Sequence, residues 1–324
     1  MDGMNIKIPR RGRVYRSRPL VLTRRIGCDE MKKRKGKFSN WGNSILFLGP
    51  TTFFFAMTVM IPFIYGIFLT LNKMDTPSDP MVFSGFYNYL SAMEDSKFWA
   101  SLGLTLKFML ATVFFVNIVG FGLAYLVTSG LRIQNSLRTA YFMPNLIGGL
   151  VLGYIWQFIF VQSLPAIGEK LDIQWLKLGW LGDPHLAFWA LVLVTIWQSS
   201  GYMMIIFIAG LVSIPNDLME AAKIDGAGFF RKMFHVTLPL MIPSFVVTTF
   251  LALKNAFMVY DLNFSLTQGG PYNSTEMVSM YVVNKAFVQA NYGTGQAEAM
   301  VLFLIVAIVT GIQVYFSKKM EVEA

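Results

Sequence analysis

The sequence predicts an all-α integral membrane protein with six transmembrane helices and both termini on the cytoplasmic side. Three observations carry that expectation. The 324 residues are 55% apolar and only 14% charged, with a mean hydropathy of +0.52, whereas charged side chains make up roughly 25% of a soluble globular domain. The apolar residues gather into nearly uncharged runs of about 20 residues, the length that crosses a bilayer as a helix. The basic residues are distributed unevenly between the segments that join those runs.

The chain opens on a basic stretch. Residues 1–40 hold thirteen Lys/Arg against three Asp/Glu, while the other 284 residues hold fourteen against fifteen. With no aromatic interleaving and no apolar period, the stretch is not expected to bind nucleic acid. Its composition fits a disordered cytoplasmic tail against anionic membrane lipids, where each Lys/Arg contributes roughly 1 kcal/mol. The first apolar run starts too late and runs too long for a signal peptide. The domain reading is therefore a tail over residues 1–40 and one membrane domain over residues 41–324.

The apolar runs lie at about 44–71, 102–128, 139–162, 186–211, 241–262 and 296–316. Each must be helical, because backbone groups in lipid have no water to bond and no alternating barrel-strand pattern is present. With the N-terminus inside, the tail, Arg132, Arg138, Lys223, Arg231, Lys232, Lys318 and Lys319 place twenty of the 27 Lys/Arg on the inner face. The outer loops hold five: Lys73, Lys97, Lys170, Lys177 and Lys285. That bias sets the orientation. Trp99, Trp175, Trp180, Tyr87, Tyr89 and Tyr292 cluster near the outer ends, where amphipathic rings favour the headgroup zone.

Several chemistries are disfavoured. Cys28 is the single cysteine, and His185 and His235 fall on opposite sides of the membrane, so no metal site, disulfide or catalytic constellation is expected. No Gly-x-x-x-x-Gly-Lys-Ser/Thr run is present, so the chain is not itself a nucleotide-binding engine and no cofactor is expected. A secondary transporter is the alternative to keep, but such proteins usually carry ionisable relays in the spans, and only the terminal Asp261 is expected there.

The segment between the fourth and fifth runs, at about 213–240, is the most informative. Pro215 ends an apolar run, and Asp217 sits at the positive end of a helix expected from about Pro215 to Asp225. Gly226 and Gly228 supply a turn, after which Phe229, Phe230, Met233 and Val236 recur at helical spacing up to Leu238 and Pro239. Helices this short need a partner for their apolar faces. The spacing alone fits either a docking element or an amphipathic linker lying on lipid.

Glu220-Ala221-Ala222, three residues, Gly226, nine residues, then Val236-Thr237-Leu238-Pro239 resembles the EAA loop of inner-membrane permeases in binding-protein-dependent ABC importers, with Val236 in place of the usual Ile. The resemblance extends to the sugar-importer branch of the maltose and glycerol-phosphate type. It is carried there by Phe86-Tyr87-Asn88-Tyr89 with Phe98-Trp99, by Leu266-Thr267-Gln268-Gly269-Gly270-Pro271 with Thr275, and by Tyr292-Gly293.

The resemblance implies a type I ABC importer permease fold in a bacterial inner membrane. It implies cytoplasmic ABC ATPase subunits that receive Glu220, Ala221, Ala222, Asp225, Gly226, Leu238 and Pro239, a second related permease forming a heterodimer, and an extracellular or periplasmic solute-binding protein. It also implies a sugar pathway near the bilayer midplane, for which Gln198, Ser199, Tyr202, Asn255 and Tyr260 are the matching candidates. Neutral hydrogen-bonding groups beside aromatic rings suit an uncharged polyhydroxylated ligand, although polar residues in spans also join helices to one another. Lys254 has two readings at this stage, contact with an anionic solute or pairing with a carboxylate of a sister subunit.

Overall fold

The computed structural model describes residues 37–73, 80–130 and 132–320, with side chains placed from residue 46 onward except at 318 and 320. The basic stretch as far as residue 36 lies outside the described residues, and residues 37–40 already belong to the first helix. By internal packing the chain forms two units, Met1–Pro62 and Phe63–Ala324. The first holds α1 (Lys37–Phe55) and a single wide turn, Ala56–Met60, whose bonds run i to i+5. Phe47, Phe53 and Phe54 are exposed there.

The second unit begins in α2 (Ile61–Thr70) and continues through a short antiparallel pair, β1 (Asn72–Lys73) and β2 (Val82–Phe83), into α3 (Tyr87–Glu94). Buried Asn88 holds this corner together. Its amide donates to the Thr70 and Asn72 carbonyls, both at 2.9 Å, and its oxygen accepts from the Thr294 hydroxyl at 3.4 Å.

Next comes α4 (Ser96–Thr128), whose first turn is capped by Asp95: Oδ1 accepts from the Lys97 and Phe98 amides at 3.0 and 3.3 Å. After α5 (Gln134–Phe142) and a tight turn, Met143–Leu146, the chain enters α6 (Gly149–Phe158) and α7 (Leu164–Leu171). The third span therefore runs Gly149–Leu171, not 139–162. Pro144 is the reason, since a proline in mid-helix loses a backbone bond and clashes with the preceding turn. The apolar run is cut into a separate amphipathic helix and a late-starting span.

α8 (Pro184–Ser213) packs along α4 at the centre of the unit. Its start is fixed by Pro184 in the first turn and by Asp183, which accepts from the His185 and Leu186 amides at 2.9 and 3.0 Å. α5 crosses α8 at Gly201, where a Cβ would collide with the Tyr141 carbonyl. Small residues at crossings let membrane helices approach closely.

Beyond α8 lie α9 (Asn216–Ile224), α10 (Phe229–Lys232), α11 (Leu238–Leu240) and α12 (Ile242–Phe257). The chain bends by 67° between Phe229–Leu240 and Ile242–Phe257. α13 (Asp261–Leu266), α14 (Val278–Val283) and α15 (Tyr292–Met320) complete the fold. Five helices among the described residues are long and apolar enough to cross a bilayer, and the bent pair makes a sixth.

The expected fifth run, 241–262, is interrupted. α12 stops at Phe257 and Asp261 opens a new helix, so residues 258–260 form a non-helical elbow. The core has two centres. One gathers Phe98, Phe108, Leu152, Leu191, Phe257 and Met277, and the other Met203, Met204, Phe207 and Met241. Between α12 and α4, the Thr248 hydroxyl donates to Asn117 Oδ1 at 2.6 Å, a polar tie inside an apolar interface.

Candidate functional site

Two features of this frame combine into a site, a hairpin at one end of the bundle and a cavity on the helix that follows it. In the hairpin, α9 ends in a fully formed left-handed cap. The Ala227 amide donates to the Ala222 carbonyl at 2.9 Å, the Gly226 amide to the Lys223 carbonyl at 3.2 Å, and Gly226 has φ +71°. This is the Schellman arrangement, which favours glycine at the left-handed position. Gly228, by contrast, has φ −66° and needs no special freedom, so the expected two-glycine turn reduces to one glycine. Pro215 is likewise the cap preceding α9 and not its first helical residue.

Glu220, Ala221, Asp225 and Gly226 are exposed along the hairpin, while Ala222, Leu238 and Pro239 are half-buried. Ile224 and Phe230 stand 86% and 73% exposed at the tip. These are large apolar groups, Ile224 next to Asp225 and Phe230 next to Arg231, a surface suited to docking. The hairpin is also anchored. Phe229 meets the Tyr125 ring of α4 edge-on at 5.7 Å, and Thr237 is buried. Behind α9 a half-polar cleft of about 390 Å³ opens between Tyr125, Ser129, Leu211, Asn216 and Thr237.

The cavity, of about 380 Å³, lies among the start of α6, the middle of α8, the end of α12 and the elbow before α13. Gln198, Ser199, Lys254, Asn255 and Tyr260 all line it, so five of the six residues expected on the pathway converge. Tyr202 does not line it. It stands one helical turn, about 6 Å, farther along α8 toward the hairpin end.

Asn145, Thr195 and Asp261 also line the cavity and were not singled out from sequence. Asn145 reaches it only because of the break at Pro144, and Asp261 only because of the elbow. Gln198 is held in place by donating to the Ile147 carbonyl at 3.1 Å, and the Tyr260 and Phe264 rings stack at 5.9 Å. A larger groove of about 540 Å³ between α4 and α8 is lined by Phe115, Trp189, Leu193 and Trp197 and offers almost no polar group, so it does not suit a polyhydroxylated solute.

A third cluster, at the end of the bundle away from the hairpin, escaped the sequence reading. Asp95 Oδ2 accepts from the Lys285 ammonium and the Tyr281 hydroxyl, each at 2.7 Å. Burial alone would push the Asp95 carboxyl up. The bonds from Lys285, Tyr281 and the Phe98 amide, together with the Lys285 charge, outweigh it and hold the pKa at about 2. Burial first, and then the Asp95 acceptor and its charge, push the Tyr281 phenol above its ordinary range.

Glu298, beside this cluster, is fully buried, and neither carboxyl oxygen has a hydrogen-bond partner among the described residues. It lies nearly two turns inside α15, which corrects the expectation that Asp261 alone would supply a carboxylate to the spans. Glu298 is the third residue of the apolar run 296–316, so this carboxylate was legible in the sequence, and only its burial beside Asp95 and Lys285 depends on the fold.

Six apolar spans with a short two-helix hairpin breaking into the fifth define a membrane permease. Residues 116–322 match the family model for the binding-protein-dependent transport system inner membrane component, and the chain belongs to that family. It is a transport subunit and not an enzyme. It is 43% identical over 293 residues to the probable starch degradation products transport system permease protein AmyD of Thermoanaerobacterium thermosulfurigenes, covering 90% of this chain and all of that protein. It is 34% identical to the multiple sugar-binding transport system permease protein MsmF of Streptococcus mutans, over 81% of this chain and 90% of that one. Among solved structures, a bacterial ABC transporter that imports the acidic polysaccharide alginate matches with a TM-score of 0.73 at 18% identity, over 87% of this chain and 98% of that one. That last likeness establishes the fold.

Proposed function

We propose that this permease carries a neutral carbohydrate, delivered by an extracellular or periplasmic solute-binding protein, across a bacterial cell membrane. The roles printed for AmyD and MsmF support the sugar. The 20-to-5 division of Lys/Arg supports an orientation with both termini and the hairpin in the cytoplasm. A separate ABC ATPase grips the hairpin through Glu220, Ala221, Asp225 and the exposed Ile224 and Phe230. A second, related permease completes the pathway, since the polar cavity is open on one side and lies on one subunit's wall. Gln198, Ser199, Asn255 and Tyr260 bind sugar hydroxyls and ring faces, with Lys254 and Asp261 on the same wall.

The observation that carries this reading is one of connectivity. The bent pair Phe229–Leu240 and Ile242–Phe257 joins the exposed hairpin to the helix bearing Lys254 and Asn255, so a force on the hairpin is passed to the cavity wall. The test is uptake in proteoliposomes. Accumulation of labelled maltooligosaccharide is expected only when the ATPase, ATP, binding protein and both permeases are present, and a cysteine at Ala221 is expected to cross-link to the ATPase. Uphill uptake by this chain alone would establish the secondary-transporter alternative instead.

A further inference from the structure

Glu298 is buried within this chain alone, so no neighbouring subunit can reach its carboxyl, and neither oxygen accepts from a donor among the described residues. From α15 the carboxyl faces that of Asp95, the cap of α4, within hydrogen-bond reach. One cation stands beside the two. Lys285 donates to Asp95 Oδ2 at 2.7 Å, the Tyr281 hydroxyl donates to the same oxygen, and Oδ1 takes the Lys97 and Phe98 amides.

The surrounding elements bring no second cation to this place. α3, β1 and α12 also pack against α15 and carry Glu94, Lys73 and Lys254, but none of these is among the charges that bear on Glu298. Glu276 is held by the Asn284 amide at 2.8 Å and acts on Tyr281, not on Glu298. With every group ionised, Asp95, Glu298 and Lys285 would sum to −1, with the excess charge on a side chain closed to solvent. Proteins do not keep a buried charge without a counter-charge.

One proton removes the excess and also turns the contact into a bond. Two ionised carboxylates only accept, so they can join only when one of them supplies a hydrogen. From this geometry we infer that Asp95 and Glu298 share one bound proton, carried on Glu298, and that it latches α15 to the start of α4 at the end of the bundle away from the hairpin. The latch is a property of the fold and holds whichever solute the permease carries. Because the folded pair keeps a proton that the unfolded chain releases near neutrality, its contribution is complete in mild acid and is lost as pH rises.

The test compares the full chain in detergent with Glu298→Gln, whose amide can donate to Asp95 without a titrating proton, and with Glu298→Met, which cannot donate. Glu298→Gln is expected to melt with the wild type at pH 6 and about 4 °C above it at pH 9, while Glu298→Met melts below both at pH 6. The infrared difference spectrum, wild type minus Glu298→Gln at pH 6, is expected to show the carbonyl stretch of one protonated carboxyl. Glu298→Gln destabilised to the level of Glu298→Met at both pH values would mean an ionised Glu298 that draws on Lys285, and overturns the latch. Parallel pH profiles with no protonated-carboxyl band overturn it as well, as does failure of Glu298→Gln to fold.

Discussion

Replacing Gly226 tests the hairpin at its most constrained atom. The residue sits at φ +71°, and a Cβ added there would meet nothing within 4 Å, so the whole penalty is backbone strain and none of it is crowding. A non-glycine residue in the left-handed region costs about 1 kcal/mol for Ala, less for Asn, and about 2 kcal/mol or more for a β-branched side chain. Strain of that size competes directly with the two cap bonds from Gly226 and Ala227, each contributing about 1 kcal/mol net. Gly226→Val is therefore expected to uncap α9 and let the tip residues Ile224 and Phe230 lose their fixed relation. Asn is expected to retain most uptake, Ala to lose part of it, and Val to lose it more than tenfold, with the variants inserted in the membrane at wild-type levels. The assay is ATP-driven uptake per ATP hydrolysed in proteoliposomes. Wild-type coupling in Gly226→Val would refute the view that a fixed hairpin geometry transmits the motion.

Three further outcomes follow from the packing. Asp95 has its folded pKa lowered to about 2 from 3.8, so its contribution is complete above about pH 4 and is lost as pH falls toward 2. With the Asp95 side chain 13% exposed, the shift corresponds to about 2 kcal/mol, and detergent-solubilised Asp95→Asn is expected to be less stable at pH 5 and to show no further loss across that acid window. Gly201→Ala drives a methyl into the Tyr141 carbonyl and is expected to cost about 3 kcal/mol, seen as poor yield and a lowered melting temperature. Gly103→Ala, where a Cβ meets nothing within 4 Å, serves as its neutral control. Asn88→Ala strips a donor from the Thr70 and Asn72 carbonyls and is expected to lower stability by about 2 kcal/mol in denaturant titrations.

What the sequence made legible is what hydrophobic length and local turn chemistry encode. Six runs of apolar residues gave six spans, and the Glu220-Ala221-Ala222 to Pro239 pattern gave a hairpin hinged at Gly226. Five cavity-lining residues could be gathered because Gln198 with Ser199 and Lys254 with Asn255 sit side by side on two spans. The rest depended on where the chain bends. Pro144 was visible as a residue, but its effect of swinging Asn145 into the cavity requires the packing of α6 on α13. Asp261 looked like the end of a span and proved to be the start of a new helix. Asp95, Tyr281, Lys285 and Glu298 come from three separated segments, and no periodicity links residues 186 positions apart.

The bend at Met241 also fixes the kind of motion the fifth span can make. Met241 is fully buried, so the corner cannot slide without opening a void in the packing around it, and the two arms must swing about that residue like a bell crank. The twelve residues of Phe229–Leu240 form an arm of about 18 Å and the sixteen of Ile242–Phe257 one of about 24 Å. A shift of a few ångströms at the short end thus becomes a slightly larger sweep at the long end, turned through the 67° of the elbow. A thrust delivered along the short arm would arrive at the far end of the long arm as a sideways stroke.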